Sequence, residues 1–280
     1  MYDFGSTSGD ESGASTESLA KPHVVLTACE AARVSIEYTS SLLLDAVTPS
    51  RSVGDGRPIL VIPGFYAGDG LTRRLRAHLR KLGYQVHGWR LGRNYGLTDD
   101  VLDGVLARFD ALYERDGVPV SVVGWSFGGL LARWLAHERP AQVRHVVCLG
   151  SPWRQEGERT RTTAMFERAA AKHGLSDRAE QVVETLRRPL PVLCTAIFSK
   201  TDGILNWRSC TLDAGEHCEN ISVPSSHVGL VSNPLALAVL ADRLAQDPLD
   251  PQAFDWSSCL RRSLVGTSHV KASTTALVSV

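Results

Sequence analysis

The amino-acid sequence predicts an α/β protein built on a mostly parallel, doubly wound sheet. Apolar runs of strand length alternate with amphipathic runs of helix length from Pro58 to Leu149. The strand runs are apolar at successive positions, which is typical of strands covered by helices on both faces. A chain of 280 residues is long enough to bury one large core of this kind.

The predicted elements follow one another in a regular order, and residues suited to helix ends separate them. Thr98 is a suitable N-cap for the helix after it, and Gly83 and Gly117 are suited to end helices. The predicted helices are Val24–Val47, Leu71–Leu82, Asp99–Asp116, Gly129–Leu135 and Pro234–Ala245, and the predicted strands are Pro58–Ile62, Tyr84–Trp89, Val120–Val123, Val143–Leu149, Pro191–Phe198 and Asn220–Val223. Parallel strands need helical crossovers of this kind.

The alternation is interrupted between the fourth and fifth strands. Residues Trp153–Arg188 carry two charged helical patterns, separated near Gly174, and no strand pattern. Such an insertion is expected over the carboxyl edge of the sheet, where substrates bind, so it is a candidate lid. We expect residues 1–22 to be a disordered N-terminal segment, 23–250 to form the domain with its insertion at about 153–188, and 251–280 to be a C-terminal tail.

The charge balance and the cysteine spacing argue against several classes of function. Thirty basic side chains balance thirty acidic ones, so no net field attracts nucleic acid or an anionic membrane. No spacing of cysteine and histidine indicates a zinc site. Cys210 and Cys218 are close enough in sequence to form a disulfide across a short loop, or to remain free, and both alternatives stay open.

The N-terminal part has neither a secretory nor a membrane-spanning pattern. Residues 1–16 are acidic and rich in serine and glycine, without the basic start and apolar core of a signal peptide. The apolar segment Val24–Val47 is interrupted by Glu30, Arg33, Glu37 and Asp45, which favours an amphipathic helix over a membrane span. We therefore expect a soluble, cytoplasmic protein.

The most informative motif is Gly124-Trp125-Ser126-Phe127-Gly128. It directly follows the predicted strand Val120–Val123 and directly precedes a helical pattern. A serine between glycines at a strand-to-helix turn is held at the tip of the strand, and the turn is so tight that glycine is needed beside it. The motif predicts that Ser126 is a nucleophile.

An acid and a histidine follow later strands at the same edge of the predicted sheet. Asp202 lies in Ser199–Gly203, after one strand, and His227 lies in Pro224–Gly229, after the next. A serine hydroxyl needs a base within hydrogen-bonding reach and a carboxylate that orients the base. The sequence therefore predicts that His227 takes the proton of Ser126 and that Asp202 orients His227.

Other interpretations of these residues stay open. Asp202-Gly203 is also a good turn signal, and a histidine in a loop is often only solvated. Asp213 is the second candidate for the acid. The weaker candidates lie in the polar loop before the last strand (Glu216, His217 and Glu219), in the insertion beside Gly174 (His173), at a helix end (His137) and at the start of a strand (His145).

A serine nucleophile also needs hydrogen-bond donors for the oxyanion. The backbone N–H of Phe127, directly after the nucleophile, is one candidate, and the N–H of Phe65 in the loop after the first strand is the other. Gly64 allows a close backbone approach there, although Pro63-Gly64 could simply turn the chain.

The aromatic residues around these positions suggest the kind of substrate. Tyr66 and Trp125, with the rings of Phe65 and Phe127, predict an apolar pocket suited to an acyl chain, although the same rings could belong to the core. Arg93 lies in the loop Leu91–Gly96, which follows another strand on this side, and it is either a contact for a polar substrate group or a surface residue.

The chain resembles the α/β-hydrolase superfamily and, within it, the bacterial lipases and esterases. Four blocks carry the resemblance, which extends from about Arg57 to Leu244: Val61–Phe65, Gly124–Gly129, Thr201–Gly203 and Ser226–His227. It implies an α/β-hydrolase fold and a carboxylic-ester hydrolase that acts through an acyl-serine, needs no cofactor and takes a small-molecule or lipid ester. Acyltransferase or thioesterase activity with the same serine is the alternative, and an inert binding scaffold is a third.

The sequence departs from the lipase pattern in two places. Ile62-Pro63-Gly64 stands where many lipases have a histidine before the glycine. The missing secretion signal argues against a digestive triglyceride lipase and favours an intracellular ester, lysolipid, thioester or storage polyester.

Overall fold

The computed structural model describes residues 22–47, 53–153, 161–213, 215 and 217–264. Most of the expected disordered segment, 1–22, and residues 265–280 of the expected tail lie outside these ranges.

Among these described residues, six strands form one sheet that is parallel throughout, where the sequence predicts a mostly parallel one. They are β1 (Pro58–Ile62), β2 (Gln85–Gly88), β3 (Val120–Trp125), β4 (Val143–Leu149), β5 (Cys194–Phe198) and β6 (Cys218–Ser222). Their order in the sheet is β2-β1-β3-β4-β5-β6, and each neighbouring pair is parallel. The chain proceeds from β1 to β2 on one side and then returns to place β3 to β6 on the other side, so the strand order reverses between β1 and β3. The carboxyl ends of β1 and β3 therefore flank the crevice where such sheets bind ligands.

Helices cover both faces of the sheet. They are α1 (Val24–Val47), α2 (Arg73–Lys81), α3 (Asp99–Asp116), α4 (Phe127–Glu138), α5 (Arg161–His173), α6 (Ala179–Leu186), α7 (Pro234–Ala245) and α8 (Trp256–Leu264). Apolar side chains of α3, α4 and α6 pack on one face of the sheet, and those of α2 and α7 pack on the other. The central strands β1, β3, β4 and β5 are largely apolar because both of their faces are buried in this way, whereas the edge strands β2 and β6 are partly exposed and carry polar residues.

The predicted helix ends are confirmed where local chemistry sets them. The Thr98 hydroxyl accepts a hydrogen bond from the Val101 N–H at the start of α3, and Gly117 ends that helix with a φ of 64°. β2 is shorter than predicted because the backbone N–H of Trp89 donates to the Asp69 carboxylate instead of to a neighbouring strand.

Two helices occupy the predicted insertion, and one more lies in the expected tail. α5 and α6 are separated after Gly174, whose φ is 80°. The prediction that this insertion acts as a lid stays a prediction. α8 lies where the sequence shows no clear periodicity. Its Cys259 is fully buried, and nine residues are too few to display a helical pattern around one buried position.

Candidate active site

Ser126 lies in a tight turn between β3 and α4. Its φ of 53° and ψ of −125° belong to a region that residues with a side chain rarely adopt. A Cβ atom at Gly124 would overlap the Gly128 carbonyl, and a Cβ atom at Gly128 would overlap the Ile62 carbonyl. The two glycines therefore allow the turn, which holds the serine at the carboxyl end of β3.

The structure brings Ser126, His227 and Asp202 together. His227 Nε2 lies 3.1 Å from Ser126 Oγ, and His227 Nδ1 lies 2.6 Å from Asp202 Oδ2. The other oxygen of Asp202 accepts hydrogen bonds of 2.8 Å from the N–H groups of Ile204 and Leu205. With one oxygen held by the backbone, the carboxylate can orient the imidazole only through the other.

The environment of His227 favours its charged form. The side chains of His227 and Asp202 are 5% and 2% exposed. Burial opposes the positive imidazolium, but the Asp202 charge and hydrogen bond, aided by Glu30, raise the pKa of His227 above its usual range. A proton on Nδ1 donated to Asp202 leaves Nε2 free to accept the proton of the serine hydroxyl.

The loop after β1 packs directly against the serine. A Cβ atom at Gly64 would lie 3.1 Å from Ser126 Cβ and 3.2 Å from the Trp125 ring, so glycine allows this approach. Next in the chain is Phe65, the predicted second oxyanion donor. Phe127, the predicted first donor, begins α4.

Asn94 supports this loop, and sequence reasoning missed it. The side chain is fully buried, and its Nδ2 donates to the Pro63 carbonyl at 2.8 Å. Its backbone carbonyl accepts the Tyr66 N–H at 2.7 Å. The available signal is a polar residue in the loop after β2, at the functional edge and next to the candidate Arg93. Arg93 is exposed.

A row of aromatic rings extends from the serine turn towards α5. Ring centroids are 6.0 Å apart for Phe127 and Phe65, 4.6 Å for Phe65 and Tyr66, and 5.7 Å for Tyr66 and Tyr95. Tyr95 in turn stacks on His173 at 3.8 Å. Phe65 and Tyr66 are half-buried, so parts of both rings stay exposed in the loop whose Gly64 lies against Ser126.

Trp125 contacts the site from within the core. Only 5% of the residue is exposed, and its indole N–H donates to the His227 carbonyl at 3.1 Å. Its ring lies 5.8 Å from the imidazole. For this residue the structure favours the core alternative that the sequence left open.

Carboxylates of α1 also reach the site, which the sequence did not predict. Glu30 accepts the Val228 N–H at 3.0 Å, and Glu37 accepts the Ser226 N–H at 2.8 Å. The two residues therefore bond to the neighbours of His227. Their spacing of seven residues places them on one helix face, which was the available signal.

The other candidates have different environments. His145 is buried beside the Thr195 hydroxyl, and burial lowers its pKa to about 3. Glu219 pairs with Arg243 at 3.0 Å. His137 is half-buried on α4, while His173, Asp213 and His217 are exposed. Glu216 lies outside the described residues.

Two further findings concern metals and cysteines. Among the described residues, no group of three or more His, Cys, Asp or Glu side chains could hold a metal ion. The six cysteines all belong to the described ranges and are free thiols, so Cys210 and Cys218 are not paired in this structure.

Within the described ranges, none of the helices combines the length and apolar character that a membrane crossing requires.

Comparison with known proteins identifies similar structures but no similar sequences. The sequence matches no protein-family model, and no curated protein matches it significantly. A lipase B from Aspergillus fumigatus superposes with a TM-score of 0.57 at 21% identity, over 79% of this chain and 61% of the lipase. The chain therefore spans less than two thirds of the length of that lipase.

Two shorter enzymes superpose over nearly their whole length. One comes from work on LipS and LipT, two metagenome-derived lipolytic enzymes, with a TM-score of 0.51 and 18% identity over 70% of this chain and 96% of the enzyme. The other is a monoacylglycerol lipase from Paleococcus ferrophilus, with a TM-score of 0.51 and 14% identity over 68% and 96%. At these identities the similarity establishes the fold.

Proposed function

We propose that this chain, which has the α/β-hydrolase fold, is a serine-dependent carboxylic-ester hydrolase. The observation that carries the proposal is the hydrogen-bonded line from Asp202 through His227 to Ser126. A buried carboxylate, an imidazole and a hydroxyl in this order are what nucleophilic catalysis by serine requires.

The geometry supports a two-step reaction. Ser126 Oγ attacks the ester carbonyl carbon while its proton passes to His227 Nε2, and Asp202 stabilises the imidazolium. The tetrahedral intermediate expels the alcohol, which takes the proton from His227 and leaves an acyl-serine. Water then attacks the acyl carbon as His227 accepts its proton, and the acid departs as Ser126 recovers a proton.

The backbone N–H groups of Phe127 and Phe65 are the proposed donors to the oxyanion. Support comes from Phe127 at the first position of α4 and from the close approach of Gly64 to Ser126. Asn94 restrains the loop that carries Phe65. Each donor of this kind contributes about 3 kcal/mol to stabilisation of the transition state.

The proposed substrate is an ester with an apolar acyl chain. The half-buried rings of Phe65 and Tyr66 lie in the loop beside Ser126 and favour hydrocarbon over a sugar or a phosphate. Two of the similar structures are described as lipases and one as a lipolytic enzyme, which is in line with an ester of lipid type.

A fluorophosphonate probe, which modifies activated serines, tests the proposal. We expect labelling of the wild-type chain and none of Ser126→Ala, because the probe forms its bond with Ser126 Oγ. Labelling that survives this substitution would exclude Ser126 as the nucleophile.

Hydrolysis of p-nitrophenyl esters from acetate to palmitate then measures chain-length preference. Competition between water and an added alcohol distinguishes a hydrolase from an acyltransferase, and a matched thioester identifies a thioesterase.

A further inference from the structure

We propose that α1 positions the histidine and the acid of the site, with Glu37 and Glu30 as its positioning residues. The proposal rests on the roles of His227 and Asp202 proposed above. It concerns a helix that precedes the whole sheet in the sequence and supplies no group to the reaction itself.

Glu37 holds the residue before His227. Its carboxylate accepts the backbone N–H of Ser226 at 2.8 Å and also the Ser226 hydroxyl. The Ser226 hydroxyl oxygen in turn accepts the Gly229 N–H at 3.0 Å. One carboxylate therefore restrains both ends of the turn Ser226–Gly229, called the histidine turn below. Asn233 Nδ2 donates to the same Glu37 carboxylate at 3.2 Å. These groups are buried or half-buried, where such charge-assisted bonds are strong.

Glu30 holds the residue after His227. One of its oxygens accepts the Val228 N–H at 3.0 Å, and the backbone N–H of His227 also stabilises the carboxylate. The residue is only 8% exposed, and burial raises the pKa of its carboxyl. A buried carboxylate costs stability, so its presence at the histidine turn needs a reason. Its negative charge favours the protonated form of His227.

The same helix holds the residues on both sides of Asp202. The Thr27 hydroxyl donates to the Gly203 carbonyl at 2.6 Å. Arg33 donates to the Thr201 carbonyl at 2.6 Å and to its hydroxyl at 2.9 Å. The backbone neighbours of the acid and of the histidine are therefore all bonded to one helix, which sets the distance between the two loops.

Among the described residues, two ionisable groups act directly on the imidazole. Asp202 faces it from the loop after β5, and Glu30 faces it from α1. Glu37 acts on it through the backbone of Ser226, and Arg33 is bonded to Thr201 next to the acid. Glu30 is consequently the residue at which the charge can be changed without removing the hydrogen bond of Asp202 to His227.

Glu30→Gln in the full chain tests the charge. Glutamine has nearly the same shape and can still accept the Val228 N–H, but it carries no charge. We expect a lower pKa of His227 in an NMR titration of its imidazole, a shift of the acidic limb of kcat/KM to lower pH, and an unchanged or higher Tm. A purely structural role of Glu30 would leave the titration and the limb where they are, and that result would overturn the charge role.

Substitutions of Glu37 test whether this residue positions His227, with a conservative variant and a control on the same helix. We expect Glu37→Ala to lower kcat by ten- to a hundredfold, with KM changed by less than about threefold, because small misplacements of a reacting group reduce the rate by this order. Glu37→Gln can replace one of the two bonds to Ser226 and should recover most of the loss. If Glu37→Ala does not fold, the comparison of Glu37→Gln with wild type carries the same test at smaller amplitude.

Asp45→Asn is the control. Asp45 lies near the other end of α1, where it pairs with Arg74 at 2.8 Å and with His78 at 3.1 Å. The substitution weakens the docking of α1 without touching the histidine turn, so kcat should stay within about twofold of wild type. An equal loss of kcat in Asp45→Asn and Glu37→Ala would show that α1 acts only through general stability, and would overturn the positioning role.

The failure of this proposal can be distinguished from the failure of the proposed function. If the fluorophosphonate probe does not label the wild-type chain, the hydrolase assignment fails. The NMR titration of His227 needs no substrate and still reports whether Glu30 acts on the imidazole. Conversely, a labelled enzyme whose His227 pKa is the same in wild type and Glu30→Gln retains the function and loses the charge role.

Discussion

Ser126 is positioned by glycines two residues away on either side, whereas Asp202 and His227 are positioned by a distant helix. At the serine turn, a Cβ atom at Gly124 would overlap the Gly128 carbonyl within the turn, and one at Gly128 would overlap the Ile62 carbonyl at the end of β1, so close backbone packing sets the geometry. At the other two residues the restraints are side chains of α1, with Glu37 lying 189 positions before Ser226. One half of the site is therefore built by close backbone packing and the other half by long-range hydrogen bonds.

The largest expected effect is on the long-range half. In Asp202→Asn, the side-chain oxygen can still accept the N–H groups of Ile204 and Leu205, which turns the amide NH2 towards His227 Nδ1. The proton of the imidazole then moves to Nε2, and a protonated Nε2 cannot accept the proton of Ser126. We expect kcat to fall by roughly 10⁴-fold at nearly unchanged stability. A loss below tenfold in steady-state ester hydrolysis would show that Asp202 does not orient the base.

The next effect breaks the close-packed half. In Gly128→Ala the new methyl group meets the Ile62 and Pro63 carbonyls, and backbone cannot move aside as a side chain can. We expect a loss of about 3 kcal/mol in the free energy of unfolding. Gly70→Ala is the matched control, because a Cβ atom there has nothing within 4 Å. Equal stability of the two variants in urea denaturation would contradict the steric account of the turn.

This division also explains which parts of the site the sequence could predict. The glycine spacing around Ser126 is a local signal, and so are the cap at Thr98 and the end of α3 at Gly117. Asp202 and His227 could be proposed because strand order places them at one edge. Glu30 and Glu37 could not, because a helical pattern does not reveal which loops the helix will pack against.

Asn94 extends the comparison to the loop that faces Ser126. Asn94→Ala removes the donor to the Pro63 carbonyl and the acceptor for the Gly96 N–H, leaving buried polar groups unpaired. We expect a loss of about 1–3 kcal/mol in stability. We also expect a fall in kcat of about tenfold, because the proposed oxyanion loop is less restrained. The exposed neighbour gives the control: Arg93→Ala should change stability by less than about 0.5 kcal/mol. Similar losses in both variants would argue against a specific role of the buried amide.

The smallest effect is on the pH dependence of stability. Burial raises the pKa of Glu30 above its usual value of 4.5, so the native state holds this proton more tightly than the unfolded state. The free energy of unfolding therefore decreases as pH rises from about 4.5 through the native pKa, by at most about 1.4 kcal/mol per pH unit. The difference in the free energy of unfolding between wild type and Glu30→Gln, measured by urea denaturation across that pH window, isolates this contribution. A difference that does not vary with pH would contradict the buried charge.

The central claim is that the serine and the histidine act as one unit, and the most direct test is kcat in the single and double variants. Residues of one nucleophilic unit are not additive, since removing either member already abolishes the attack. We predict that Ser126→Ala, His227→Ala and the double variant hydrolyse a p-nitrophenyl ester at the same residual rate. A double variant whose loss is the product of the two single losses would contradict the claim, because it would mean that the two residues act independently.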